Sequence, residues 1–276
     1  MIKVLTTHVG SLPFTDTQAA LDYTFLFDLP VLPSLPKLNE NQFMGRDIIH
    51  QLGIGECTKD FRLNLNQDFL KCTEDLNPPL LEEFIQILND KKLIEFKYQL
   101  IGPISFYRML EKPSVSFKVV ADFLEEKYIK LLHLLNSKGK CIFYLDEPFL
   151  NTASPQELAL LNSFTASLKK TKSLIGIHIC SEISEEQLLT VNSDIVNIDS
   201  KLIAPSSCLR DVEMSHFGLD GGTFPVGYID QLEKSQVGSR VHLSPSCGLA
   251  NAGQNEIEFI PRILRRNASL IIVKNF

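Results

Sequence analysis

Short apolar runs recur along the chain, each followed by a segment whose apolar residues repeat at i, i+3 and i+4. Residues 4–9, 29–32, 96–101, 141–145, 174–179, 195–198 and 241–243 are continuous enough in Val, Ile, Leu and Phe to predict buried strands, with 223–228 a weaker eighth. Between them, residues 17–27, 41–52, 79–92, 114–136, 155–169, 184–191 and 255–265 carry the spacing of amphipathic helices. Ser184 ahead of two glutamates, and Ser154-Pro155 with Glu157 behind, mark helix starts. Strands alternating with helices predict an α/β fold with a parallel sheet. Seven or eight such units in 276 residues suit a (β/α)8 TIM barrel better than a doubly wound sheet.

No Pro/Gly/Ser-rich linker divides the chain, so residues 1–276 read as one domain, and the proline-dense stretch 29–38 reads as a rigid loop over the barrel mouth. No G-x-G-x-x-G follows any predicted strand and no Walker A sequence occurs, which removes the common nucleotide-binding folds. A net charge of −6, with no basic stripe, argues against a nucleic-acid partner. The N-terminus lacks a secretory apolar core and no run spans a bilayer; a cytoplasmic protein without membrane contact is expected. There the six cysteines are thiols, and each is open to a metal-binding or catalytic role.

In such a barrel the strand ends converge on one face, and the residues that follow the apolar runs are the candidate chemistry. They are Gly10 and Ser11 after the first run, Asp146 and Glu147 after the fourth, His178 and Cys180 at the fifth, Asp199 at the sixth, and Cys247 after the last. Residues two apart in a strand face the same side, so His178 and Cys180 can address one metal. Asp199 and Cys247 complete a mixed N/S/O set suited to zinc. A single cysteine is ordinarily a small buried apolar group. Three elements supplying compatible ligands at one face weigh against that reading here. For Asp146, Glu147 and Pro148 the ordinary alternative is a turn that caps a helix. His8 reads as a hydrogen-bonded strand-end histidine, and Cys57, Cys72, Cys141 and Cys208 as structural thiols.

The motifs T-x-V-G-S-L-P from Thr7, L-D-E-P from Leu145, H-x-C at His178, and P-x-C-G-L from Pro245 occur in one order across nearly the whole chain. Together they resemble the catalytic barrel of cobalamin-independent methionine synthases, within the methionine synthase and uroporphyrinogen decarboxylase superfamily. The resemblance implies that His178, Cys180 and Cys247 are zinc ligands, with Asp199 where the family places a glutamate. That shorter side chain either reaches zinc through a shifted strand end, yields to water, or takes the substrate amine. The resemblance further implies that Gly10 and Ser11 hold an amino-acid substrate and that Asp146, with Glu147 beside it, binds its ammonium. The activity implied is zinc-dependent methyl transfer to a small thiol, homocysteine, giving methionine.

The chain has no tryptophan to stack on a pterin, leaving Phe106 or Tyr107 for that role, and no room for the second barrel of the long folate-using enzymes. A corrinoid or corrinoid protein therefore ranks above methylfolate as donor. The alternatives are a metal-free decarboxylase or lyase of the same superfamily and a non-catalytic zinc-binding barrel. The lyase would want arginines near the N-terminal loops, where only Arg46 and Arg62 stand.

Overall fold

The structure, a computed structural model, describes residues 3–60, 62–111, 113–198, 213–214, 240–245 and 247–274. Strands β4 (Glu95–Ile101), β5 (Lys140–Asp146), β6 (Leu174–Ile179), β7 (Ile195–Ile198) and β8 (Glu213–Met214) form one parallel sheet in that order. Strand β1 (Lys3–Thr6) pairs in parallel with β9 (Arg240–Leu243). A small antiparallel pair, β2 (Gly55–Cys57) and β3 (Leu63–Leu65), lies outside this pattern.

Residues 29–32, expected to be a strand, make one isolated bridge, Val31 with Lys97. Pro30 and Pro33 have no N–H to give a ladder, so the segment bonds only where a donor remains. The Leu29 amide donates to Thr6 O at 3.0 Å, the Leu32 amide to Lys97 O at 2.9 Å, and Lys97 N to Pro30 O at 2.8 Å. This irregular run thereby joins β1 to β4. The weak candidate at 223–228 lies outside the described residues.

The helices follow their start signals. α6 (Pro155–Lys169) has a capping box in which Ser154 and Glu157 satisfy each other's backbone donors. Ser184 and Ser116 cap α7 (Glu185–Thr190) and α5 (Phe117–Lys138), and Asp16 caps α1 (Thr17–Thr24). The segment 41–52 is shorter than expected as a helix: Gly45, at φ 81°, separates a 3-10 turn from α2 (Arg46–Leu52). α3 is Leu81–Asp90, and the last helix, α8 (Gln254–Lys274), runs beyond its apolar pattern. One helix was not anticipated: α4 (Pro103–Met109) begins directly after β4, with proline in its first turn. Among the described residues no helix is long and apolar enough to cross a membrane.

Strand alternation divides the core. Phe96, Tyr98 and Leu100 on β4, Cys141, Phe143 and Leu145 on β5, and Ile175, Ile177 and Ile179 on β6 join the large cluster shared with the helices. On the opposite face Leu29, Ile142, Tyr144 and Ile195 form a small second cluster. The same parity carries Lys97, Gln99, Asp146 and His178 onto that second face, where the polar residues concentrate toward the C-terminal strand ends.

Candidate active site

The strand ends open on a cavity of about 220 Å³. Its lining includes Gly10, Ser11, Gln99, Asp146, His178, Cys180, Cys247 and Gly248 on the strand side, and Phe43, Met44, Asp47 and Gln51 from the loop and helix that follow residues 29–38. Gly10 and Ser11 are fixed from two directions. Ser34 N donates to Gly10 O at 3.2 Å and Leu249 N to Ser11 O at 2.8 Å. A Cβ on Gly248 would meet Ser11 Oγ, so a larger residue there would turn the Ser11 hydroxyl away from its present position.

One ligand atom from each of His178, Cys180 and Cys247 lies within 4.8 Å of the other two. In a tetrahedral zinc site such atoms stand roughly 3.5–4 Å apart, so small side-chain rotations bring all three into range. The imidazole is buried and both cysteines are exposed toward the cavity. His178 Nδ1 is hydrogen-bonded to Asn197 Oδ1, which sets the proton on Nδ1 and leaves Nε2 as the nitrogen able to ligate. Asn197 Nδ2 in turn reaches Ser244 Oγ at 3.4 Å, tying β7 to the loop that carries Cys247. Hydrogen bonds from Cys180 and His178 pull the Cys247 thiol down to about 4, and that neighbouring anion pushes Cys180 up. The donor set fits zinc: two soft thiols, one oriented imidazole, and an open side toward the cavity.

Asp146 stands on the cavity wall beside this trio and accepts a hydrogen bond from Gln99 Nε2. Burial raises its carboxyl, against the opposing pull of His178, Gln99 and Lys97. Lys97 is fully buried beneath the cavity, its Nζ donating to His8 O at 3.1 Å and lying 4.1 Å from the centre of the Tyr144 ring. Burial lowers this lysine to about 7. Asp47, across the cavity, is raised to about 7, again mainly by burial.

Two expected substrate residues do not line the cavity. Glu147 is fully buried and serves the start of α4: Oε1 accepts from Ile104 N at 3.0 Å, and Oε2 from Ser105 N at 2.8 Å and Ser105 Oγ at 2.7 Å. With proline at the first position of α4 and Gly102 N bonded to Asp146 O, Ile104 N and Ser105 N are the orphan donors of this helix start, and the strand-end carboxylate is drawn to them rather than to the cavity. Phe106, on the same helix, is buried in the large cluster, where its apolar surface is removed from water. Asp199 lies outside the described residues, as does Cys208. His8 is buried, its Nε2 bonded to Thr24 Oγ1 at 2.7 Å, and burial lowers it to about 3, so it acts as a neutral structural group.

Sequence reasoning missed Asn197, Gln99 and Asp47. The first two carry a readable signal, a polar side chain inside an apolar strand run; Asp47 carries none beyond its position at a helix start.

No protein-family model and no curated protein matches the chain. Solved structures do. A B12-independent methionine synthase from Shewanella sp. W3-18-1, in complex with selenomethionine, is similar at a TM-score of 0.71 and 15% identity, with 98% of each chain covered. A candidate vitamin-B12-independent methionine synthase from Listeria monocytogenes is similar at a TM-score of 0.58 and 17% identity, covering 98% of this chain and 99% of that one. From end to end, this chain has the fold of the B12-independent methionine synthase structures.

Proposed function

We propose that the chain is a single-domain (β/α)8 enzyme that binds zinc through His178, Cys180 and Cys247 and transfers a methyl group to homocysteine, giving methionine. The observation that carries this reading is the placement of one imidazole and two thiols around a common point, on a cavity shared with Asp146. In this reading residues 29–32 serve as the irregular second member of an eight-stranded ring, supported by the Val31–Lys97 bridge, and β8, which lies near β9, adjoins that strand on the other side. The selenomethionine held by the Shewanella protein supports an amino-acid substrate here.

The residues divide the work. Zinc, when bound, supplies Lewis acidity that makes a ligated thiol a thiolate at neutral pH. Asn197 holds the His178 ring so that Nε2 faces the two cysteines. Asp146 offers a carboxylate to the substrate ammonium, a charge-assisted contact that fixes the amino acid with its sulfur toward the ligand trio. Ser11 and the backbone at Gly10 bound the other side of the substrate. In the transfer itself the substrate thiol gives its proton to solvent, its sulfur forms a bond to the methyl carbon as the donor–methyl bond breaks, and the donor leaves with that electron pair. A corrinoid, free or protein-borne, is preferred over methylfolate, because no tryptophan offers a pterin stack and neither Phe106, buried in the core, nor Tyr107, packed against Phe117, lines the cavity.

The metal-free lyase reading is weaker. Arg46 is engaged by Glu40 and Thr58 O, and Arg62 bonds to Arg108 O, so neither arginine is directed at the cavity. The test is methionine formation by zinc-loaded protein from L-homocysteine and isotopically labelled methyl donor, methylcobalamin or 5-methyltetrahydrofolate. Labelled methionine that disappears in Cys180→Ser and Cys247→Ser is the expected result. A zinc-loaded chain that neither binds L-homocysteine nor forms methionine from either donor overturns the proposal.

A further inference from the structure

The Gln99 side chain carries a buried polar atom that the protein itself leaves without a partner. Its Nε2 donates to Asp146 Oδ1, the amide orientation that matches an ionised carboxylate, since the opposite one would set a carbonyl oxygen against it. Its Oε1 is then shielded from water and has no hydrogen-bond partner. An unsatisfied buried acceptor costs about 1–3 kcal/mol, so it stands out unless a bound molecule satisfies it.

The surroundings narrow what that molecule is. Gln99 and Asp146 are neighbours on the cavity wall. From below, Lys97 is committed to His8 O and the Tyr144 ring, and so does not reach the amide. From the side, Gly10 packs along the stem of Gln99, where a Cβ built on it would meet Gln99 Cβ at an ordinary contact distance of 3.7 Å. Gln99 lines the cavity, and a modest turn about its soft terminal amide torsion presents Oε1 to a molecule bound there. A carbonyl oxygen beside a carboxylate accepts two hydrogens from one cation, and a primary ammonium, with three donors, matches the pair.

We propose that Gln99 is a specificity-determining residue that clamps the substrate ammonium jointly with Asp146, accepting one of its hydrogens on Oε1. The inference rests on the amino-acid thiol reading above and deepens it: the cavity selects a primary α-amine, not merely a thiol.

The test compares two probes by calorimetry on the zinc-loaded chain: L-homocysteine, and 4-mercaptobutanoate, which keeps the thiol and the carboxylate and lacks the amine. In Gln99→Met, close in length and volume, L-homocysteine binding weakens by about tenfold to a hundredfold, the range for one hydrogen bond to a charged group. Binding of 4-mercaptobutanoate stays within about twofold of wild type. Gln99→Leu gives the same split and serves if the methionine variant does not fold. In an Asp146→Asn background, Gln99→Met still weakens L-homocysteine, because the contact is direct. Equal weakening of both probes, no weakening of either, or no further loss in the Asp146→Asn background overturns the clamp. Wild-type protein that binds no L-homocysteine overturns the substrate reading itself, a result distinct from any difference between variants.

Discussion

Glu147 is the residue for which sequence and structure assign different work, and removing it separates the two. Its carboxylate takes three hydrogen bonds from the first turn of α4 and has no exposure to solvent. Glu147→Ala strands two backbone N–H groups at about 1–3 kcal/mol each and leaves a void, for a loss of about 3–5 kcal/mol. With about 2.1 cal/mol/K of unfolding entropy per residue over this chain, that loss lowers the Tm by about 7 °C.

The pH dependence adds an independent sign. Burial raises Glu147 to about 7 from the ordinary glutamate value of 4.5. The folded state therefore keeps a proton that the unfolded state releases. The associated stability is fully present below the unfolded value and is lost as pH rises through about 7. Glu147→Gln, which cannot titrate, removes that slope, so wild type loses about 3 kcal/mol relative to it between those two pH values. Urea unfolding of wild type and both variants across this range measures each effect. A Glu147→Ala protein of wild-type stability that no longer binds L-homocysteine would refute the anchoring argument and return Glu147 to the substrate.

Asn197→Ala frees the His178 ring, and zinc affinity measured by chelator competition falls about 10–100-fold with the fold intact. Asp146→Asn raises the dissociation constant for L-homocysteine by about 10–100-fold in calorimetry, while leaving zinc content unchanged. Gly176→Ala places a Cβ 2.6 Å from the Tyr144 ring, which in turn bonds His242 Nδ1 at 2.9 Å. Urea unfolding should show a loss of about 1–3 kcal/mol for this overpacking.

Much of this arrangement is written in local sequence, and the exceptions have physical causes. The strands from β4 to β7 and the capped helices α5 to α7 were legible because each buries its apolar face close to where the chain places it. Residues 29–32 looked like a strand by composition, but Pro30 and Pro33 withhold the donors that a ladder needs. Helix α4 escaped notice although Gly102-Pro103 is a good start signal, because the helix is short and its dominant anchor, Glu147, is distant in sequence. That His178, Cys180, Cys247 and Asp146 lie near one another was legible because strand ends converge in any such sheet. Asn197 and Gln99 act through contacts across neighbouring strands, and their partners exist only once the sheet is assembled.

The central claim, that the trio binds zinc and receives a substrate thiol, is tested most directly by X-ray absorption at the zinc edge, with and without L-homocysteine. The account predicts two sulfur neighbours at about 2.3 Å and at least one nitrogen in the free protein, rising to three sulfurs when L-homocysteine is added. A sulfur count that stays at two under saturating L-homocysteine, or zinc bound without either cysteine, would contradict it.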